Sequence, residues 1–477
     1  MKIRVLSLAV VLALCACTVT AQTPLEKHLQ GIAWERYQDQ AVQLLQDYLR
    51  IDTSNPPGNE LRAAEFLHRL FDEQGIPNTV FTYAPGRANL YAILKGDGSQ
   101  RPLVLLNHSD VVRAERKNWK APPFSGEILD GELYGRGALD MKDEGLLQAM
   151  VMLIAAREKV PLKRDLVFLA TADEEVGDSG SAWIIENHPE LVRQAEYLIT
   201  EGGSNLIHQG GPISEGGKTV YGIGVAEKAP FWIRMTATGR GGHGSIPIAD
   251  SAPNRLARAM NRVVSWETPI RLLPSVEQFF RQIAPMQKEP RASEFRNIRR
   301  ALENPAFAKA LSQDEDFNYL LRDTVSLTVL KGSPQTNVIP DTAFCELDVR
   351  LLPGEDPQDF LAQLRSVVAD DRIELEPITR YRKPNSSATE TALYRTIERV
   401  VHEYNPQALV APTLNGGYTE CQMYRPVGPA CYGFIPVEVT PEQEATEHAA
   451  NERVPVEQVR RGVRMLYEVV ARVAAEP

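Results

Sequence analysis

The chain has 477 residues, 43% of them hydrophobic and 24% charged, with a formal net charge of −10. That length exceeds one ordinary core, so two domains are expected, and the composition is that of a soluble globular protein. The acidic surplus argues against nucleic acid or an anionic membrane surface as the main partner.

Residues 1–21 read as a signal peptide. Lys2 and Arg4 precede an apolar stretch, residues 5–14, too short to span a bilayer. Val19-Thr20-Ala21 ahead of Gln22 fits an A-x-A-like cleavage site, while Leu14-Cys15-Ala16-Cys17 resembles a bacterial lipobox that would leave Cys17 lipidated. Either route exports the protein, with the bacterial periplasm as the expected location and no transmembrane span after processing. Cys345, Cys421 and Cys431 form neither a disulfide framework nor a C-x-x-C zinc pattern. One Cys421–Cys431 bridge is conceivable in an oxidising compartment.

Residues 30–51 read as a helix leading into the turn cluster Asp52-Thr53-Ser54-Asn55-Pro56-Pro57-Gly58. Residues 60–73 carry helical apolar spacing through Leu61, Phe66, Leu67, Leu70 and Phe71. Strands are expected at 89–94, 102–106, 166–170 and 197–200, with helices at 142–158 and 181–186. Short apolar strands alternating with helices indicate an α/β domain with a mainly parallel sheet. Beyond residue 222 the pattern changes. Residues 231–238, 324–330 and 342–352 alternate apolar and polar, as strands with one solvated face do. Helices are expected at 254–266 and 357–368, and residues 267–322 read as a charged, Pro-interrupted helical insertion. After Lys383-Pro384-Asn385 the chain returns to a helix at 390–404 and short apolar strands. The fold class is therefore α/β: a catalytic domain of residues 22–225 and 385–477, interrupted by an inserted α+β domain at 226–384.

In open α/β sheets, functional groups gather at the carboxyl ends of the strands. Three predicted strands end there in metal-ligand types: Asn107-His108-Ser109-Asp110, Thr171-Ala172-Asp173-Glu174-Glu175-Val176-Gly177 and Glu201-Gly202-Gly203. Asp140 opens the long helix after Tyr134-Gly135-Arg136-Gly137-Ala138-Leu139, where it also reads as an N-cap. Three adjacent acids at the end of a buried strand raise one another's pKa unless a cation joins them. Asp110 lies two residues beyond His108, on the same face if the strand continues, and such a carboxylate orients an imidazole ligand. Gly239-Arg240-Gly241-Gly242-His243-Gly244 matches G-x-G-x-x-G, but Pro247 spoils the helix start that a dinucleotide site needs. No serine-hydrolase elbow or H-E-x-x-H helix is present.

In this order, His108-x-Asp110, Gly135-Arg136-Gly137-x-x-Asp140-Met141-Lys142, Asp173-Glu174-Glu175-x-Gly177, Glu201-Gly202-Gly203, Gly242-His243-Gly244-Ser245, Asn337-Val338-Ile339-Pro340 and Glu447-His448 resemble the M20 family of metallopeptidases and amidohydrolases. The long insertion most resembles its Gly-X carboxypeptidase and N-acyl amino acid hydrolase branch. The resemblance implies a zinc-exopeptidase-like catalytic domain and a lid or dimerisation domain. It also implies two zinc ions, with cobalt or manganese as alternatives. Asp140 would bridge them, His108 and Glu201 completing one site, Glu175 and His448 the other. Asp110 would support His108, and Glu174 would be the general base. His243 would stabilise the oxyanion, in some relatives from the partner subunit of a homodimer. Asn337, Arg350, Gly416 and Gly417 would hold the substrate, a small peptide or an N-acyl amino acid. One departure stands out. The family loop Gly-Gly-Thr-Asp-x-Arg is here Gly416-Gly417-Tyr418-Thr419-Glu420-Cys421-Gln422, with Gln422 at the arginine position. Either the substrate then lacks a free carboxylate at that place, or Arg350 or Arg425 would meet it.

Overall fold

A computed structural model describes residues 23–208 and 218–476. The expected signal peptide at 1–21, Cys17 included, lies outside them. Among the described residues, no helix is long and apolar enough to cross a membrane.

The centre is a nine-stranded sheet. Leu103–His108 lies between Leu166–Thr171 and Tyr197–Thr200, parallel to both. Every residue of these three strands is buried, because helices cover both faces of a parallel sheet. The apolar runs that mark them in the sequence are the consequence. Arg87–Leu94 joins antiparallel to Leu166–Thr171 and carries the hairpin partner Asn78–Ala84 at the edge. Ala430–Gly433 continues the parallel set beside Tyr197–Thr200, and Lys218–Glu227 pairs with Leu409–Asn415 and Ser204–His208. The helix Lys142–Glu158 is buried along nearly its whole length, which explains why its sequence shows little amphipathic contrast.

The expected helix at 30–51 is two helices, Pro24–Gly31 and Trp34–Leu49, broken at Ile32 and Ala33. Cys421 and Cys431 are disulfide-bonded, with Cα atoms 5.5 Å apart. The bridge ties the helix Cys421–Tyr424 to the strand Ala430–Gly433.

A second, five-stranded sheet is antiparallel and built from Ala229–Pro230, Ile233–Thr238, Thr324–Lys331, Thr342–Leu351 and Ile373–Pro377. Its strand Thr342–Leu351 alternates strictly between buried and more exposed residues. The helices Ala252–Val264 and Pro357–Val368 cover the buried face, where Leu256, Leu347, Phe360 and Leu364 form a separate core. The helical segment between Pro274–Ile283 and Glu315–Leu321 sits within the chain span of this domain but packs elsewhere. Its Val276, Phe280, Phe295, Leu311 and Leu321 belong to the core of the large sheet.

Candidate metal centre

The carboxyl edge of the large sheet collects the acids and imidazoles. His108 ends its strand, and Asp140 Oδ1 lies 3.0 Å from its Nε2. Glu201 Oε2 is 3.5 Å from the same nitrogen. The other oxygen of Asp140 is 2.7 Å from His448 Nε2, which is 3.3 Å from Glu175 Oε2. One carboxylate thus faces two donor sets, His108–Asp140–Glu201 and Asp140–Glu175–His448. Within each set the donor atoms lie inside 4.8 Å of one another.

Electrostatics explain why this cluster needs cations. Burial raises the pKa of Glu201 to about 8 against the opposing pull of His108, and it raises Glu175 as well. Burial and then the charge of Glu201 hold Glu174 well above the ordinary carboxyl range. Asp140 is the exception. Hydrogen bonds from His108 and His448 outweigh its burial and lower it. Burial opposes a charge on His108, but hydrogen bonds to Asp140 and Glu201 win and raise it. His448 rises to about 10, first through Asp140 and then Glu175. Four carboxylates around two imidazoles, with nitrogen and oxygen donors only, fit a pair of borderline divalent cations.

The supporting shell is built from backbone donors. The strand stops at His108, so the ring Nδ1 meets the Asp110 main-chain carbonyl at 3.0 Å, with the carboxylate farther away at 3.7 Å. The sequence reading gave that contact to the carboxylate. Asp110 instead accepts the amides of Glu174 and Glu175 at 3.1 and 3.2 Å, and Asn55 Nδ2 at 2.8 Å. It therefore holds the turn from which both glutamates project. Asp173, with φ of +70°, anchors the start of that turn through Asn55, Arg87 and Ser179. Glu452 does the same for Asp140. Its Oε1 accepts the amides of Gly137, Leu139 and Asp140, and its Oε2 pairs with buried Arg136. Sequence reasoning gave Glu452 no role; its place four residues after His448 was the available signal.

A cavity of about 1060 Å³ opens from the cluster. Asp140, Glu174, Glu175, Glu201 and His448 line it, as do Phe279, Ile283, Met286, Phe317 and Tyr319 of the helical segment together with Gln287, Arg291, Asp314, Glu315 and Asp316 of the same segment. Gly417 and Tyr418 also line it, and a side chain at Gly416 would strike the Tyr319 ring. His243, Asn337 and Arg350 are not in its wall. His243 is exposed on a two-residue strand, Gly242–His243, paired with Val338–Ile339, and its ring meets Ser245 Oγ at 2.7 Å. Asn337 is beside it, its carbonyl accepting the Gly244 amide. Arg350 is bonded to Asp348 at 2.7 Å. Gln422 is buried and faces the Lys228 carbonyl, and Arg425 is paired with buried Glu227.

Residues 104–472 match the model of peptidase family M20/M25/M40. The chain belongs to that family. It is accordingly a hydrolase of amide bonds. The human N-fatty-acyl-amino acid synthase/hydrolase PM20D1 is 28% identical over 429 residues, covering 87% of this chain and 84% of its own. In fold, the chain resembles the M20 family metallo-carboxypeptidase Sso-CP2 from Sulfolobus solfataricus, with a TM-score of 0.66 and 17% identity over 91% of this chain and 99% of that one. It also resembles the YXEP protein of Bacillus subtilis, a dinuclear metal binding peptidase from the M20 family, with a TM-score of 0.58 and 12% identity over 92% and 99% of the two chains.

Proposed function

We propose that this protein is an exported hydrolase of small N-acyl amino acids and peptides, with Glu174 as general base. The observation that carries the reading is the two-sided contact of Asp140 with His108 and His448, where Asp140 and His448 line a cavity that Glu174 also lines. His108 and Glu201 would hold one divalent ion, Glu175 and His448 the other, with Asp140 shared; zinc is the favoured metal, cobalt or manganese the alternatives. When bound, such a pair supplies Lewis-acid polarisation and a lowered pKa for water. Glu174 is not needed in either donor set and reaches the cavity, so it is free to carry protons. It would take one from the attacking water and return it to the departing amine. Consecutive side chains diverge, which lets Glu174 and Glu175 serve protons and metal separately.

The apolar residues in the cavity lining support the deacylase reading beside the peptidase one. While Gln287, Arg291, Asp314, Glu315 and Asp316 of the helical segment keep the lining mixed, Phe279, Ile283, Met286, Phe317 and Tyr319 of the same segment offer apolar contacts to a hydrocarbon acyl chain. The name carried by the human relative points the same way. His243 and Asn337 stand together outside the cavity of their own chain, which supports their delivery from a second copy in a homodimer through the inserted domain. The proposed domain plan is 22–225 and 385–477 around 226–384, with the helical segment of 267–322 serving the catalytic core. A disulfide at Cys421–Cys431 supports an oxidising compartment, hence export and processing of residues 1–21.

The test is a panel of N-acyl-phenylalanines, from acetyl to lauroyl, beside the dipeptide Gly-Phe, each with and without chelator. Chelator-sensitive release of phenylalanine, rising with acyl length, is expected. Cleavage of Gly-Phe alone would sink the deacylase reading, and no hydrolysis of either class would sink both.

A further inference from the structure

The turn that carries Glu174 and Glu175 is held at its two ends by different arginines. At its start, Asp173 receives Arg87 Nη1 at 3.0 Å and Asn55 Nδ2 at 2.7 Å. At its end, Asp178 is left-handed, with φ of +54°, and 9% exposed. Its Oδ2 receives Arg382 Nη1 at 2.8 Å. The same nitrogen donates to the Tyr418 hydroxyl at 3.0 Å, and the guanidinium lies over the Tyr418 ring, 5.8 Å from its centroid. Tyr418 lines the cavity together with Glu174.

The place of Arg382 in the chain gives these contacts their meaning. Arg87 belongs to the sheet that carries the site. Arg382 does not. It sits in the extended segment that leaves the inserted sheet after Pro377 and rejoins the large sheet where Ser386 bridges to Ala226. One guanidinium from this returning segment therefore ties together the far end of the Glu174 turn and the cavity wall. A planar guanidinium can hold a carboxylate and a phenol in fixed directions, which a point charge cannot do.

We propose that Arg382 is a positioning residue: by clamping Asp178 to Tyr418 it fixes the Glu174-bearing turn against the cavity. The proposal rests on the reading of Glu174 as the base. The arginine side chain is 26% exposed but the Asp178 side chain only 12%, so removing the guanidinium costs some stability as well as loosening the geometry, and the two effects are read separately. Misplacement of a reacting group by a fraction of an ångström falls on turnover rather than on substrate affinity.

The experiment compares Arg382→Ala, Arg382→Lys and Glu174→Gln in the full-length enzyme, on the fastest substrate of the panel above. For Arg382→Ala, kcat falls roughly 10- to 100-fold with KM within about twofold, metal content stays at the wild-type value, and the loss of kcat exceeds what any fall in thermal midpoint accounts for. Added methylguanidinium restores part of kcat, and Arg382→Lys lies between the alanine variant and wild type. The clamp is overturned by a kcat near wild type. It is equally overturned by a rise in KM alone, which would place Arg382 on the substrate, or by a loss that tracks the thermal midpoint and resists methylguanidinium. Glu174→Gln keeps the two readings apart. If it is inactive while Arg382→Ala is unimpaired, only the clamp falls; if it retains turnover, the base assignment fails first and takes the clamp with it.

Discussion

Glu452 is the residue whose replacement the structure allows to be worked through most fully. Its carboxylate is fully buried, pairs with Arg136, whose side chain is 3% exposed, and accepts three amides from the loop that presents Asp140. Glu452→Ala strands the guanidinium and the three donors together. Breaking a buried pair by removing one partner costs about 3–5 kcal/mol, because the remaining charge is uncompensated. Each lost charged hydrogen bond is worth about 1.5–3 kcal/mol in isolation, but the four contacts share one carboxylate and do not sum. The estimate stays at about 3–5 kcal/mol, a large part of an ordinary stability. At roughly 2 °C per kcal/mol for a domain of this size, the melting temperature of chelator-treated enzyme drops by about 6–10 °C. Glu452→Gln keeps one acceptor and falls between. Thermal unfolding followed by circular dichroism, with metal content by mass spectrometry, reads both effects, since a loosened loop also misplaces Asp140. A shift below about 2 °C with full metal content would refute the assignment of that loop to Glu452.

Four further outcomes follow from the geometry. Glu174→Ala abolishes turnover while metal content stays near wild type; substantial residual activity would refute the base assignment. Asp110→Asn lowers kcat by roughly 10- to 100-fold, since one of the two amides it holds then faces an NH₂ group, and a steady-state assay with metal analysis reads it. Met286 lines the cavity, and Met286→Trp takes up part of its space, so kcat/KM for lauroyl substrates falls while that for acetyl substrates holds; equal loss for both would place the acyl chain elsewhere. Burial lowers the Lys228 pKa to about 7, below its unfolded value near 10.4. Between those pH values the unfolded chain binds more protons, so wild type gains stability over Lys228→Met as pH rises, by at most about 1.4 kcal/mol per unit, measurable in urea at pH 7 and 9.

The strands that carry the site were legible because their burial on both faces leaves an unbroken apolar run, and the topology of a parallel sheet then sends their ends to one edge. Helix Lys142–Glu158 and strand Tyr197–Thr200 begin and end where the pattern places them. Strand ends marked His108, the Glu174–Glu175 pair and Glu201, with Asp140 at the helix start, while the M20 resemblance added His448 and the grouping of the five. What was not legible is which atom meets which. Alternation places the Asp110 carboxylate beside His108 only while the strand continues, and it ends one residue after Asn107. Glu452 and Arg382 act on loops more than 200 residues away, and no local spacing encodes such a partner. The edge strand Asn78–Ala84 escaped because it has no fully buried residue to set a period. The helical segment was recognised as helical, but amphipathic spacing says that a face is buried and not against what.

That last point bears on how this protein can be taken apart. The helical segment leaves the inserted sheet, lends Phe280, Phe295 and Leu321 to the core of the large sheet, and goes back. Excising residues 226–384 would therefore strip the strand Leu409–Asn415 of the helix Pro274–Ile283 that packs on it. The truncated chain would expose an apolar surface and lose one wall of its cavity. A graft that is meant to change the lid must leave the helical segment behind and replace only the two stretches of sheet on either side of it. The lid is one unit on the page of the sequence and two in the folded chain.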